Sequence, residues 1–399
     1  MKNLTKQLLL IGCLSGGLIQ NSIGATTNTK FDDLSTSYQN NNQISTDPVI
    51  QNFLKSEKSQ LGQNFPFKMN IFTNGKVDQN NAGVRVSEQA NQIAKNNAGL
   101  MFYYELLPSA MRVPHWHANA NELGVVTSGT MRVEIWNGLD KPTIYYVSAG
   151  ETWIIPQGTL HSLENVGKDK LSFLVIYDHP VTADRDFVTA WASLPKAMLS
   201  QSVGLNESAL SHIQKTTNNP LSNYQPAVES EPEYDPLKLN SDLNKIKPLY
   251  SSDEGYITRL DKTQNPNMFM TLQKTVLKPG AMRVPHWYTN GDELLYVQDG
   301  AAFISMMDDD GKVYHKLIQR GDLVSIPVGN FFGFINVGKK DLEVYEALKT
   351  TAPINEITLL GGIQQFNANM IQGAIGVSKS SADVLLQNKA LPPIVKFGN

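Results

Sequence analysis

The sequence predicts an all-β protein built from two tandem copies of one domain, and three observations carry that expectation. The string AMRVPHW stands at 110–116 and again at 281–287, 171 positions apart. Around it, ELLPSAMRVPHWHANANELGVVTSGTMRVEI pairs with TVLKPGAMRVPHWYTNGDELLYVQDGAAFIS. Downstream, SAGETWIIPQGTLHSLENVGKDKLSFLVIY pairs with QRGDLVSIPVGNFFGFINVGKKDLEVYEAL. Two long matches in the same order mean a duplicated domain, with a period far beyond that of a solenoid. Within each copy the segments are short, rich in β-branched and aromatic residues, and bounded by Gly, Pro, Asn or Asp. Each half therefore reads as a β-sandwich or barrel.

The elements follow in chain order. Lys2 and Lys6 precede the apolar run LLLIGCLSGGLIQ, and SIGA ends at Ala25 with small residues. Residues 1–25 thus read as a secretory signal, which places the protein in a secreted or periplasmic setting. A rival reading takes Leu10-Ile11-Gly12-Cys13 as a lipid-anchoring site, although the apolar stretch runs on past Cys13. Residues 26–47 are polar and read as a flexible segment. The first domain is expected over 48–214. Its stretches MRVEIW, TIYYV, TWIIP and LSFLVIY read as strands, and Asn137-Gly138 marks a hairpin turn. Helical signal follows this β block in DFVTAWASLPKAML and ESALSHIQKT. Residues 215–248 are rich in Pro, Asn and Ser without a sustained period, and read as a linker or an arm over a neighbouring domain. The second domain is expected over 249–399, with a turn at Asp310-Gly311 and a helical SADVLLQ near its end.

Composition narrows the function. The 399 residues are 41% hydrophobic and 18% charged, with a net charge of -3. Removing residues 1–25 takes two lysines and no acid, which moves the net charge to -5. Mild acidity without basic clusters argues against nucleic acid as a partner. Beyond the first 25 residues no run approaches the roughly 20 apolar residues of a membrane span. Cys13 is the only cysteine, so a chain cut after Ala25 has no disulfide and is held by its core alone.

His115, His117, Glu122 and His161 are the residues that carry chemistry. His115 and His117 stand two apart, so a β-strand points both imidazoles to one face. Glu122 follows after a short polar link. His161 lies on a distant segment, after Gly150, Pro156 and Gly158, that a barrel brings alongside. Three imidazoles and a carboxylate leave an octahedral ion two open positions. The donor set suits Mn(II) or Fe(II), with Zn(II), Ni(II) and Cu(II) also compatible. The second copy keeps His286 and Glu293 but has Tyr288 and Phe332 at the other two places. Phe cannot coordinate, and Tyr coordinates only as a phenolate. A single ion per chain, in the first domain, is expected.

These residues carry a family resemblance. His115-Trp116-His117, Glu122 and Gly129 resemble the first cupin motif, and Gly150, Pro156, Gly158, His161 and Asn165 the second. His286, Glu293, Gly300, Gly321, Pro327, Gly329 and Asn336 repeat the pattern. From about residue 50 to the end the chain resembles the bicupin oxalate decarboxylase family, with LKPGAMR…HW and the FPFKMNI segment as further support. The resemblance implies two tandem cupin domains, jelly-roll β-barrels with short flanking helices. It implies Mn(II) on His115, His117, Glu122 and His161, a small carboxylate substrate, dioxygen as partner, and a homo-oligomer, trimer or hexamer, with an N-terminal arm exchanged over 48–75. In that family an Arg three residues before the first His binds the substrate carboxylate, and Arg112 holds that place. Simple alternation puts Arg112 on the face opposite His115, so a twist or bulge near Pro114 has to turn it inward. Arg is suited to the role by its bidentate fork.

One departure touches the reaction. Decarboxylase members carry a Ser-Glu-Asn stretch after the last strand of the first barrel, and its Glu moves the proton. Here the stretch is YDHPVTADRDFVTAW, and the Glu position falls on Ala183. Asp184 and Asp186 are adjacent and His179 is nearby, so these are the candidate lid acids. The competing reading has the TADRD acids cap the helix that follows. Family variants without the lid Glu are oxidase-like. Three functions are therefore in play: an oxalate decarboxylase-like lyase, an oxidase-like enzyme, and a binding protein for a small acid or sugar without turnover. A cupin of other chemistry, a dioxygenase or an isomerase, is not separated from these by the residues alone.

Overall fold

The computed structural model describes residues 43–138, 141–212, 220–225, 231–389 and 391–398. The segment read as a signal, and 26–42 of the polar segment, lie outside them. The strands are β1 (Lys68–Asn70), β2 (Lys76–Asn80), β3 (Gly83–Ser87), β4 (Leu100–Leu106), β5 (Ala110–His117), β6 (Glu122–Ser128) and β7 (Thr130–Trp136). They continue with β8 (Thr143–Ser148), β9 (Glu151–Ile155), β10 (Leu160–Asn165), β11 (Leu171–Tyr177), β12 (Asp184–Asp186), β13 (Leu221–Asn223) and β14 (Asn240–Asp242). The second half holds β15 (Tyr250–Ser252), β16 (Gly255–Leu260), β17 (Thr271–Leu277), β18 (Ala281–Tyr288), β19 (Glu293–Asp299) and β20 (Ala301–Met307). It ends with β21 (Val313–Gln319), β22 (Asp322–Ile326), β23 (Phe331–Asn336), β24 (Leu342–Leu348), β25 (Glu356–Thr358) and β26 (Ile394–Lys396).

Each half is a barrel of two facing sheets. The first has the order β14-β9-β6-β11-β4-β3-β2 against β12-β5-β10-β7-β8, with β13 also on β5. The second repeats it as β1-β22-β19-β24-β17-β16-β15 against β21-β20-β23-β18-β25, with β26 on β18. The expected all-β architecture of two tandem barrels is thus the observed one. Along β5, Ala110, Arg112, Val113, His115 and His117 are buried while Met111, Pro114 and Trp116 are half-buried.

Two exchanges tie the barrels together. β1, which precedes the first barrel, pairs with β22 of the second, Lys68 opposite Val324. β14, which precedes the second barrel, pairs with β9 of the first at the equivalent place, Asn240 opposite Trp153. The stretch 220–225 and 231–248 runs along the first barrel, with Tyr234 bridging to Ile144. The N-terminal arm also lays helix α1 (Pro48–Ser56) on the second barrel. There Ile50 clusters with Phe303, Ile335 and Val337, and the Phe53 ring meets Phe303 edge-on at 4.7 Å. The start of α1 follows from Pro48 in its first turn and from Asp47, whose carboxylate accepts from the Val49 amide at 2.8 Å.

One apolar cluster runs from the first barrel into Leu294, Tyr296, Leu323 and Tyr345 of the second, so the two share a core. Gly138 and Gly311 sit in the two marked turns with φ of +87° and +75°, the left-handed region those dipeptides favour. The helical signal after the first β block resolves into α2 (Phe187–Ser193), α3 (Lys196–Val203) and a 3-10 turn at Ala209–His212.

Candidate metal centre and its closing strand

The site begins with a bulge. On β10, His161 pairs with His115 and Leu163 with Arg112, so two residues of β5 (Val113 and Pro114) stand opposite one of β10. The extra residue resets the alternation, and Arg112 and His115 both turn into the barrel. The inward turn expected near Pro114 is therefore achieved by a bulge at that place.

Inside, the ligand atoms of His115, His117, Glu122 and His161 all lie within 4.8 Å of one another, and all four residues are buried. Each imidazole is aimed by its outer nitrogen. His115 Nδ1 donates to the Val113 carbonyl at 2.8 Å and His161 Nδ1 to the Thr159 carbonyl at 2.9 Å. His117 Nδ1 meets Asp184 Oδ1 at 2.8 Å. The Nε2 atoms are thereby left out of those bonds, and two of them face Glu122, His117 Nε2 at 2.9 Å and His161 Nε2 at 3.6 Å from its Oε2. This is how ligand histidines are fixed in tautomer and direction by their surroundings. The donor set fits a divalent ion of the Mn(II) or Fe(II) kind. Burial alone lowers His117, but hydrogen bonds to Asp184 and Glu122 hold it up at about 9. The same carboxylates that favour a proton there favour a metal ion in its place.

The surroundings contain residues that motif reading passed over. Trp153 Nε1 donates to Glu122 Oε1 at 2.8 Å, which fixes the carboxylate that the histidines share. The Trp153 ring fits because its cross-strand partner is Gly124, where a Cβ would stand 2.0 Å from it. The internal repeat held this signal: the second copy has Leu295 opposite Val324, so a small-large pair trades for a medium-medium one. Tyr177 packs its ring 4.8 Å from His117.

β12 closes the mouth, antiparallel to β5, with Asp184 opposite His117 and Asp186 opposite His115. Arg112 is fully buried, its Nη1 lies 2.6 Å from Asp186 and its Nη2 3.4 Å from Asp184. Arg85, from the facing sheet, reaches Asp184 at 3.6 Å. Burial raises the Asp184 carboxyl, but His117 and the arginines more than offset this and hold it at about 2. Asp184 therefore stands as a carboxylate that orients a candidate ligand histidine. Asp186 occupies the N-cap position of α2 but makes no cap bond, so the capping reading does not describe it. His179 turns to the Val181 carbonyl, outside the site.

The second barrel shows what the ligand changes do. His286 keeps its Nδ1 bond to the Val284 carbonyl, at 2.8 Å, but its ring faces Phe332 at 4.3 Å and Tyr288 at 5.1 Å. Burial, then Glu346, pushes the Tyr288 phenol well above its usual range, so it is no phenolate. Glu293 is likewise pushed well up by burial and by Glu346, and it has no tryptophan donor. Among the described residues one further acidic group, Asp308–Asp310, clusters closely. Its Asp308 is spent on the turn amides of Asp310 and Lys312 and on the Tyr314 hydroxyl.

Comparison with known proteins agrees with this geometry. The Cupin family model matches residues 69–210 and again 241–382. Oxalate decarboxylase of Bacillus subtilis is 25% identical over 334 residues, which cover 81% of this chain and 85% of that protein. Oxalate oxidase GF-2.8 of Triticum aestivum is 32% identical over 125 residues, 30% of this chain and 56% of that protein. A solved structure of the B. subtilis decarboxylase at pH 4.6 superposes with a TM-score of 0.74 at 21% identity, covering 85% of this chain and 90% of that one. Another structure of that enzyme, superposing at the same TM-score, concerns its Mn(II) centres.

Proposed function

The chain belongs to the cupin family, as a bicupin similar to oxalate decarboxylase, and from that premise we propose a manganese-dependent site in its first barrel that acts on oxalate or a related small carboxylate. The observation that carries this reading is the convergence of three histidine Nε2 atoms and Glu122 beside a buried arginine. His115, His117, Glu122 and His161 would hold the ion. Mn(II) held there would supply Lewis-acid binding of a substrate carboxylate and one-electron redox chemistry.

The chain's own residues do the rest. Arg112 binds the far carboxylate of the substrate and orients it. Asp184 keeps His117 aimed. Asp186, the other acid of the closing strand, would supply the proton once Arg112 has turned to the substrate. With a proton delivered to carbon, hydrogen oxalate breaks its C–C bond to give formate and carbon dioxide. Without it, oxalic acid and dioxygen give two carbon dioxide and hydrogen peroxide. The position of Ala183, where decarboxylases have Glu, favours the second outcome as the alternative reading. The leader-like residues 1–25 support a secreted or periplasmic location, and mass spectrometry of the mature N-terminus tests that.

The experiment has two steps. Elemental analysis of the purified protein should give about one Mn per chain, the reading's own expectation from one complete ligand set. Formate and peroxide are then measured from oxalate. Formate identifies a decarboxylase and peroxide an oxidase. Neither product, from a chain with Mn bound, would sink both and leave a binding protein.

A further inference from the structure

We propose that Asp186 is an internal competitor for the substrate carboxylate at Arg112, and so sets how tightly the site takes a small dicarboxylate. The inference rests on the reading of Arg112 given above and deepens it. It comes from comparing the two barrels, which close in the same way.

In each, a three-residue strand lies on the ligand strand in the same register. Asp184 and Asp186 face His117 and His115 in the first; Glu356 and Thr358 face Tyr288 and His286 in the second. At the earlier position both strands carry an acid gripped by two arginines. Asp184 lies 3.4 Å from Arg112 and 3.6 Å from Arg85. Glu356 lies 2.7 Å from Arg283 and 3.8 Å from Arg259. Since this grip recurs in the barrel without the ligand set, it belongs to closing the barrel.

The later position differs, and there the barrels divide. Thr358 caps its helix, accepting from the Gly361 amide at 3.2 Å. Asp186 precedes a helix at the same point and is among the best capping residues, yet it leaves the cap unmade. Its carboxylate goes to Arg112 Nη1 instead, at 2.6 Å. The second acid is therefore an addition found only where the ligand set is complete. Arg112 is then held by two carboxylates before any substrate arrives.

The same element is easy to lift. The helix that follows Asp186 buries none of its residues, whereas Arg112 is fully enclosed. The Asp186 side chain is 25% exposed, so the exchangeable partner is the one already in reach of water. Trading Asp186 for a substrate carboxylate keeps one charge-assisted bond on Arg112 and breaks little packing.

The test is Asp186→Thr, which installs the residue the second barrel uses and restores a cap. Oxalate is titrated calorimetrically into the metal-containing protein, and the melting temperature is recorded alongside. The expected result is an oxalate Kd lowered about tenfold, the scale of one charge-assisted hydrogen bond removed as competitor. Where turnover occurs, KM falls with Kd while kcat does not rise with it. An unchanged or weaker Kd at wild-type melting temperature overturns the proposal, as does absence of oxalate binding in both proteins. Should Asp186→Thr melt early, Asp186→Asn keeps the shape without the charge and is read the same way. The Kd shift can stand even when neither formate nor peroxide forms, so loss of the oxalate-turnover reading is told apart from loss of this one.

Discussion

At the scale of the residue, the eighth position of the repeated string decides where an ion can sit. His117 and Tyr288 occupy the same point on equivalent strands, both buried to within a few per cent. The tyrosine is accepted by a barrel of the same plan, so His117→Tyr is a substitution the fold can carry. It removes one of four ligands and leaves Asp184 without its histidine. The expected outcome is Mn content falling from about one per chain to near zero, with the melting temperature of the metal-free protein little changed. Retention of stoichiometric Mn in the variant would count against the assigned ligand set. Trp153 makes the complementary point: its indole is invisible to a motif reading because it coordinates nothing, yet it fixes the Glu122 carboxylate.

At the scale of the element, strands and loops are pinned by a few buried polar groups. The loop between β3 and β4 is held by Glu88, which accepts from Asn96 Nδ2 at 2.8 Å and from the Met101 amide at 3.1 Å. Burial pushes its carboxyl up, partly offset by these two bonds, to about 7. The folded state therefore holds the proton more tightly than the unfolded one. Stability from this group is complete below about 4.5 and is lost as pH rises towards about 7, a change of about 3 kcal/mol. Urea denaturation at several pH values should show that decline in the wild-type protein and not in Glu88→Gln. Equal slopes in the two would reject it. The bulge on β5 shows the same economy: one inserted residue turns an arginine and two histidines to a single interior.

At the scale of the whole molecule, the barrels are joined by exchanged edges. A chain beginning at residue 76 keeps every ligand but loses α1 and β1, which uncovers Phe303, Ile335 and Val337 and the edge of β22. Ile50 alone withdraws a side chain worth about 1.5–3 kcal/mol when fully buried. Such a chain should melt at least about 5 °C lower or aggregate through the open edge, with its Mn content per folded chain unchanged. An unaltered melting curve would show that the arm carries no stability. Much of this architecture was legible beforehand. The duplication, the strand-rich halves, the four residues that cluster in the first barrel and the two differing positions of the second copy all stand in the linear order. Residue type and strand period decide them locally, and the repeat lets each copy be read against the other. Other features are long-range. The pairing of Arg112 with Asp186, 74 positions on, the reciprocal strands β1 and β14, and the shared core between barrels depend on which edges meet. An edge strand's hydrogen bonds are satisfied by any strand of fitting register, so its own residues do not name its partner. The sequence by itself determined the fold class, the duplication and the barrel that carries the His/Glu cluster. Only the tertiary structure decided what holds that cluster in place and what already occupies the arginine beside it, because those contacts join residues that no local period relates.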